Sequence, residues 1–93
     1  MPYKLLIWPA AAESLARLRK DPALAPALRA VERTRQRLEA DPFSPRLGTV
    51  PFMTDELGGV SATPAGLDDW YIFWQRGAEP RTLYVVEVDQ LRR

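Results

Sequence analysis

The chain contains no cysteine and no histidine. The first absence excludes a disulfide framework, a thiolate metal site and a cysteine nucleophile. The second removes the commonest general base near neutral pH and the commonest metal ligand. A metal site would need carboxylates alone, and neither a metal nor a cofactor is expected. No apolar run approaches the ~20 residues that cross a bilayer. The N-terminal stretch Leu5-Leu6-Ile7-Trp8 is too short for a signal h-region, and Pro9 interrupts it. The expectation is a cytoplasmic protein with no membrane association.

Ninety-three residues make one domain, residues 1–93. A chain this short buries only ~60–65% of its unfolded surface, so its core must be well filled. The 46% hydrophobic content, with three each of Trp, Tyr and Phe, makes that feasible. The net charge is only +1 but unevenly spread. Residues 1–40 hold eight Lys/Arg against four Asp/Glu, net +4, and residues 41–93 hold five against eight, net −3. The first half is the one suited to face a polyanion.

Residues 3–7 alternate as a strand, with Tyr3, Leu5 and Ile7 on one face. Pro9 suits the first turn of a helix whose apolar stripe runs through Ala11, Leu15 and Leu18 and which Asp21-Pro22 breaks. A second helix is predicted over about 23–40, burying Leu24, Leu28, Val31 and Leu38 beside Ala27 and Thr34. The short link between the two predicts an antiparallel helical hairpin. Residues 42–58 read mainly as loop, with one short strand around 49–53 that Pro51 confines to a sheet edge or a bulge. Period-two alternation returns at 60–63 and at 70–74, where Trp70, Ile72 and Trp74 share one face and Tyr71 and Phe73 the other. The run 83–88 is apolar on both faces until Glu87, as a central strand requires. The predicted fold is α+β, in the order β-α-α-β-β-β, a helical hairpin on a mostly antiparallel sheet.

That order, with the motifs Trp8-Pro9-Ala10-Ala11, Leu38-Glu39-Ala40-Asp41-Pro42 and Gly66-Leu67-Asp68-Asp69-Trp70-Tyr71-Ile72-Phe73-Trp74 and the final run 82–88, resembles the RelE/ParE superfamily of bacterial type II toxins. The resemblance covers essentially the whole chain. It implies a toxin that arrests growth and is neutralised by a cognate antitoxin. Members of the RelE branch cleave mRNA on the ribosome, members of the ParE branch poison DNA gyrase, and some members have no demonstrated toxicity. The sequence departs from the RelE pattern. Tyr71 stands where the family often has arginine, 49–53 offers no lysine pair, and the distal tyrosine is missing. The ParE-like or degenerate reading is therefore preferred to an mRNA interferase, and a non-toxic interaction module on the same fold is the third reading.

RNA transesterification needs a base for the 2′-hydroxyl, an acid for the leaving oxygen, and cations for the phosphorane. If the chain is an endoribonuclease, the catalytic candidates are Tyr71, Arg76, Arg81 and Arg92, although Tyr71 also reads as a half-buried strand aromatic. Arg29, Arg33 and Arg37 recur every four residues on the second helix. With Arg46 and Arg93 they are candidates for binding nucleic acid or another target, against the plainer reading of a solvated helix face. Trp70, Ile72 and Trp74 are candidates for antitoxin binding if the helices leave their face open. Adjacent Asp68 and Asp69 read as turn formers rather than a metal pair.

Overall fold

The computed structural model describes residues 2–91. Strand β1 (Lys4–Ile7) leads through Trp8 into helix α1 (Pro9–Lys20), with Pro9 at its first position, where no N–H is missed. Asp21 then accepts a bond from the Ala23 amide and starts a single 3-10 turn, Pro22–Leu24, before helix α2 (Ala25–Ala40). The second helix thus begins about two residues later than its periodicity suggests, because Asp21 and Pro22 impose a tighter turn. Strands β2 (Val50–Thr54), β3 (Gly58–Pro64), β4 (Trp70–Arg76) and β5 (Thr82–Gln90) follow.

The sheet has five strands in the order β1-β5-β4-β3-β2. All neighbours are antiparallel except β1 and β5, which run parallel. The expected topology thus gains one strand: the 50–54 segment pairs with β3 from Val50↔Ala62 to Thr54↔Gly58. It lies at the sheet edge, where Pro51 leaves no inner ladder position short of a donor. The doubly apolar strand β5 lies inside the sheet, as its composition demands.

Helices α1 and α2 pack on one face of the sheet, α1 chiefly on β5 and α2 on β4. The main core lies between them and includes Ala11, Leu15, Leu18, Val31, Leu38, Ile72, Trp74, Leu83, Val85 and Val88. Val85 and Val88 both join it because β5 carries an extra residue. Ile72 pairs with Val88 and Phe73 with Glu87, but Trp74 pairs with Val85, so Val86 has no partner of its own. The bulge turns Val86 to the opposite face, where it forms a second, smaller core with Val60, Ala62 and Phe73.

Two turns hold non-glycine residues with positive φ. Asp68 (φ 50°) and Asp69 (φ 58°) close the β3–β4 connection, and the Trp70 amide bonds back to the Leu67 carbonyl at 3.0 Å. Aspartate tolerates this left-handed backbone better than most residues, so the pair serves the turn. Arg81 (φ 53°) ends the β4–β5 loop, and its carbonyl accepts from the Lys4 amide at 2.8 Å. That bond holds an unusual backbone conformation in place.

Candidate functional site

The face of the sheet away from the helices is covered by neither α1 nor α2. Its floor is the small core of Val60, Ala62, Phe73 and Val86, and half-buried Trp8, Phe52, Tyr71, Tyr84 and Leu91 pack around it. The aromatic rings touch: Trp8–Tyr84 at 5.5 Å between centroids, Phe52–Phe73 at 5.3 Å and Tyr71–Phe73 at 6.1 Å. Alternation along β1 puts Lys4 and Leu6 on this side too, with Leu6 exposed. Acids gather at one end, where Asp55, Glu56 and Glu87 line one cleft with Trp8. Glu87 is tied down there. Ser14 Oγ donates to its Oε1 at 2.6 Å, and Arg17 donates to Ser14 Oγ at 3.0 Å. Such a carboxylate is a structural acceptor rather than a free base.

The second concave region lies at the other rim, on the helix side. Phe43 packs edge-on against Tyr3 and against Trp74, each at 6.0 Å. The Arg76 guanidinium sits 4.4 Å above the Phe43 ring, and that of Arg81 5.4 Å from the Tyr3 ring. Both arginines, with Glu79, line a cleft of about 300 Å³ at the β4–β5 loop. A wider groove of about 620 Å³ adjoins it, running from Arg76 and Phe43 past Pro42, Pro45 and Pro51 over Ser61. Beneath this groove the Trp74 indole N–H donates to Thr63 Oγ1 at 2.8 Å, and Thr63 Oγ1 lies 2.7 Å from Thr49 Oγ1.

The catalytic candidates fall in different places. Arg76 and Arg81 come together, but Tyr71 is at the start of β4, five residues or roughly 16 Å along the strand from Arg76, and it faces the other side of the sheet. Arg92 and Arg93 lie outside the described residues. Trp70, Ile72 and Trp74 share a face as expected, but α1 and α2 cover it. Ile72 is 1% and Trp74 2% exposed, and Trp70 packs against the same core. Ile72 and Trp74 belong to the protein's interior and Trp70 is half-buried at its margin, so the open apolar patch expected for an antitoxin is not there. Periodicity shows which residues share a face but not which face the helices take. Arg29, Arg33 and Arg37 do form one exposed stripe along α2, and Arg37 Nη2 reaches the Arg46 carbonyl at 3.4 Å.

The sequence reading missed Phe43, which organises the arginine cleft. A phenylalanine between Pro42 and Ser44 in a loop gives no periodic signal, and only its contacts with Tyr3, Trp74 and Arg76 reveal its place. It also missed the joining of Trp8, Phe52 and Tyr84 into one surface, which needs the pairing of all five strands, since β1 and β2 are the two edges of the sheet.

No protein-family model matches this sequence, and no curated protein does. Among solved structures, the chain matches the toxin–antitoxin complex RelBE2 from Mycobacterium tuberculosis with a TM-score of 0.67. The match covers 98% of this chain and 100% of that one, at 23% sequence identity. The chain therefore has a RelE-like fold: two helices on a five-stranded mixed sheet, with no further domain in the matched region.

Proposed function

We propose that this chain is the toxin component of a toxin–antitoxin pair, held inactive by a cognate antitoxin. The observation that carries this reading is the extent of the structural match, end to end on both chains, to a member of such a complex. The surface best suited to the antitoxin is the unroofed sheet face. Half-buried Trp8, Phe52, Tyr71 and Tyr84 with exposed Leu6 supply an apolar platform for an amphipathic helix or an extended segment.

The same face argues for a target other than mRNA, so a ParE-like or non-cleaving mode is preferred. Cleavage would need cations around a scissile phosphate. Among the described residues the strands place one cation on this face, Lys4 on edge strand β1, while Asp55, Glu56 and Glu87 gather at its end. Arg76 and Arg81 are held over aromatic rings on the opposite side.

Inducible expression in bacteria, alone and with the neighbouring gene, tests both statements. Growth arrest relieved by co-expression, without new mRNA 5′ ends inside translated codons, is the expected result. New cuts within codons would overturn the preferred target, and absence of arrest would overturn the toxin reading. A DNA-supercoiling assay on the arrested cells then tests gyrase directly.

A further inference from the structure

The exposed ridge of α2 has one sign of charge along its whole length. Arg29, Arg33 and Arg37 are all exposed, and exposed Arg46 continues the line beyond the helix, its carbonyl held by Arg37. Two other basic residues beside it, Arg35 and Arg19, share one carboxylate. Glu32 binds Arg35 at 3.0 Å and Arg19 at 3.5 Å. Among the described residues no carboxylate pairs with Arg29, Arg33 or Arg37. Like charges four residues apart weaken a helix. This stripe keeps three in a row where alternating acids would have stabilised it, and a polyanion relieves that repulsion.

We propose that this ridge is a docking surface for the phosphate backbone of duplex DNA, independent of base sequence and of the toxin reading above. Three features select this partner. The cations are all arginine, whose fork matches phosphate oxygens. The other exposed residues of α2 itself are Pro26, Gln36 and Ala40, with no aromatic or large aliphatic side chain, while Asp41 and Phe43 are exposed between the helix and Arg46. A protein partner would want such an apolar anchor, and single-stranded nucleic acid would want stacking rings. Third, Arg29 to Arg37 spans eight residues, about 12 Å along the axis, which matches the ~12 Å major groove between the two phosphate rows of B-form DNA.

The test is fluorescence anisotropy of the purified full chain with a labelled random-sequence DNA duplex, over a salt series. The unsubstituted chain is expected to bind in the range of about 1–100 µM. In Arg29→Gln/Arg33→Gln/Arg37→Gln the slope of log K against log salt falls by about 2.7, three contacts at ~0.9 each. A fourfold rise in salt then weakens the unsubstituted chain about 40-fold more than this variant. Arg29→Lys/Arg33→Lys/Arg37→Lys retains the slope, and Arg19→Gln/Lys20→Gln, off the ridge, leaves it nearly unchanged. Far-UV circular dichroism shows that each variant is folded. The proposal is overturned by no DNA binding at low salt, by equal loss per charge in the off-ridge variant, by equal or tighter binding of an RNA duplex, or by a ridge that takes up polyglutamate and not DNA.

Discussion

Thr63→Val removes one hydroxyl from beneath the groove and strands a buried donor. Thr63 is 0% and Trp74 2% exposed, and the indole N–H has Thr63 Oγ1, at 2.8 Å, as its partner. Valine keeps the shape of threonine, so packing changes little and the loss is electrostatic. An unsatisfied buried donor costs ~1–3 kcal/mol. Thr49, half-buried, turns its own hydroxyl to water and adds little. The expected destabilisation is about 2 kcal/mol, a fall in Tm of about 8–16 °C for a domain of this size. Urea unfolding followed by far-UV circular dichroism measures it without relying on tryptophan fluorescence. The decisive control is the double-mutant cycle with Trp74→Phe. Once the donor is gone, Thr63→Val is expected to cost less than about 0.5 kcal/mol, a coupling of about 1.5 kcal/mol. The reasoning is refuted if Thr63→Val costs the same in both backgrounds, or if it costs under about 0.5 kcal/mol in the unsubstituted protein.

Gly77→Ala would place a Cβ 2.8 Å from Thr82 Cγ2 and 3.0 Å from the Thr82 carbonyl, where the Gly77 amide already bonds at 2.7 Å. The overpacking should cost ~1–3 kcal/mol in a thermal melt, and Thr82→Ser should recover part of it by removing Cγ2. Asp69→Gly places a glycine directly after Asp68, a favoured pair for a turn with positive φ at both central positions, and should raise stability by about 0.5 kcal/mol in the same melt. Leu83→Ala, at 1% exposure in the inner strand, should cost ~2–5 kcal/mol, enough to unfold a large share of a marginal domain. Arg76→Gln removes a guanidinium from the Phe43 ring at an exposed site, and a loss of only about 0.5 kcal/mol is expected by the same melt.

Local patterns carried most of the fold. Pro9 and Asp21-Pro22 bound α1, the stripe of Val31, Thr34 and Leu38 faces the core, and the doubly apolar β5 is an inner strand. Strand β2 was legible only as a short segment around Pro51, because an edge strand with exposed Val50 and Met53 lacks the alternation that burial on one face imposes. The bulge at Val86 was not legible, since it depends on how β4 and β5 meet. The candidate site was less legible than the fold. Arg29, Arg33 and Arg37 share a face because helical spacing alone decides it, whereas Tyr71 and Arg76 part because strand distance and sheet side decide that, and Trp70, Ile72 and Trp74 vanish under helices whose side of attachment no period encodes.

The parallel pairing of β1 with β5 has a consequence in time. Leu5 pairs with Leu83, 78 residues further along the chain. At about 5–20 residues per second of synthesis, β1 waits roughly 4–16 s for its strand partner. The helical hairpin is local and can form during that interval, but the sheet cannot close on it. Its main core therefore stays open on the strand side until almost the whole chain has been made.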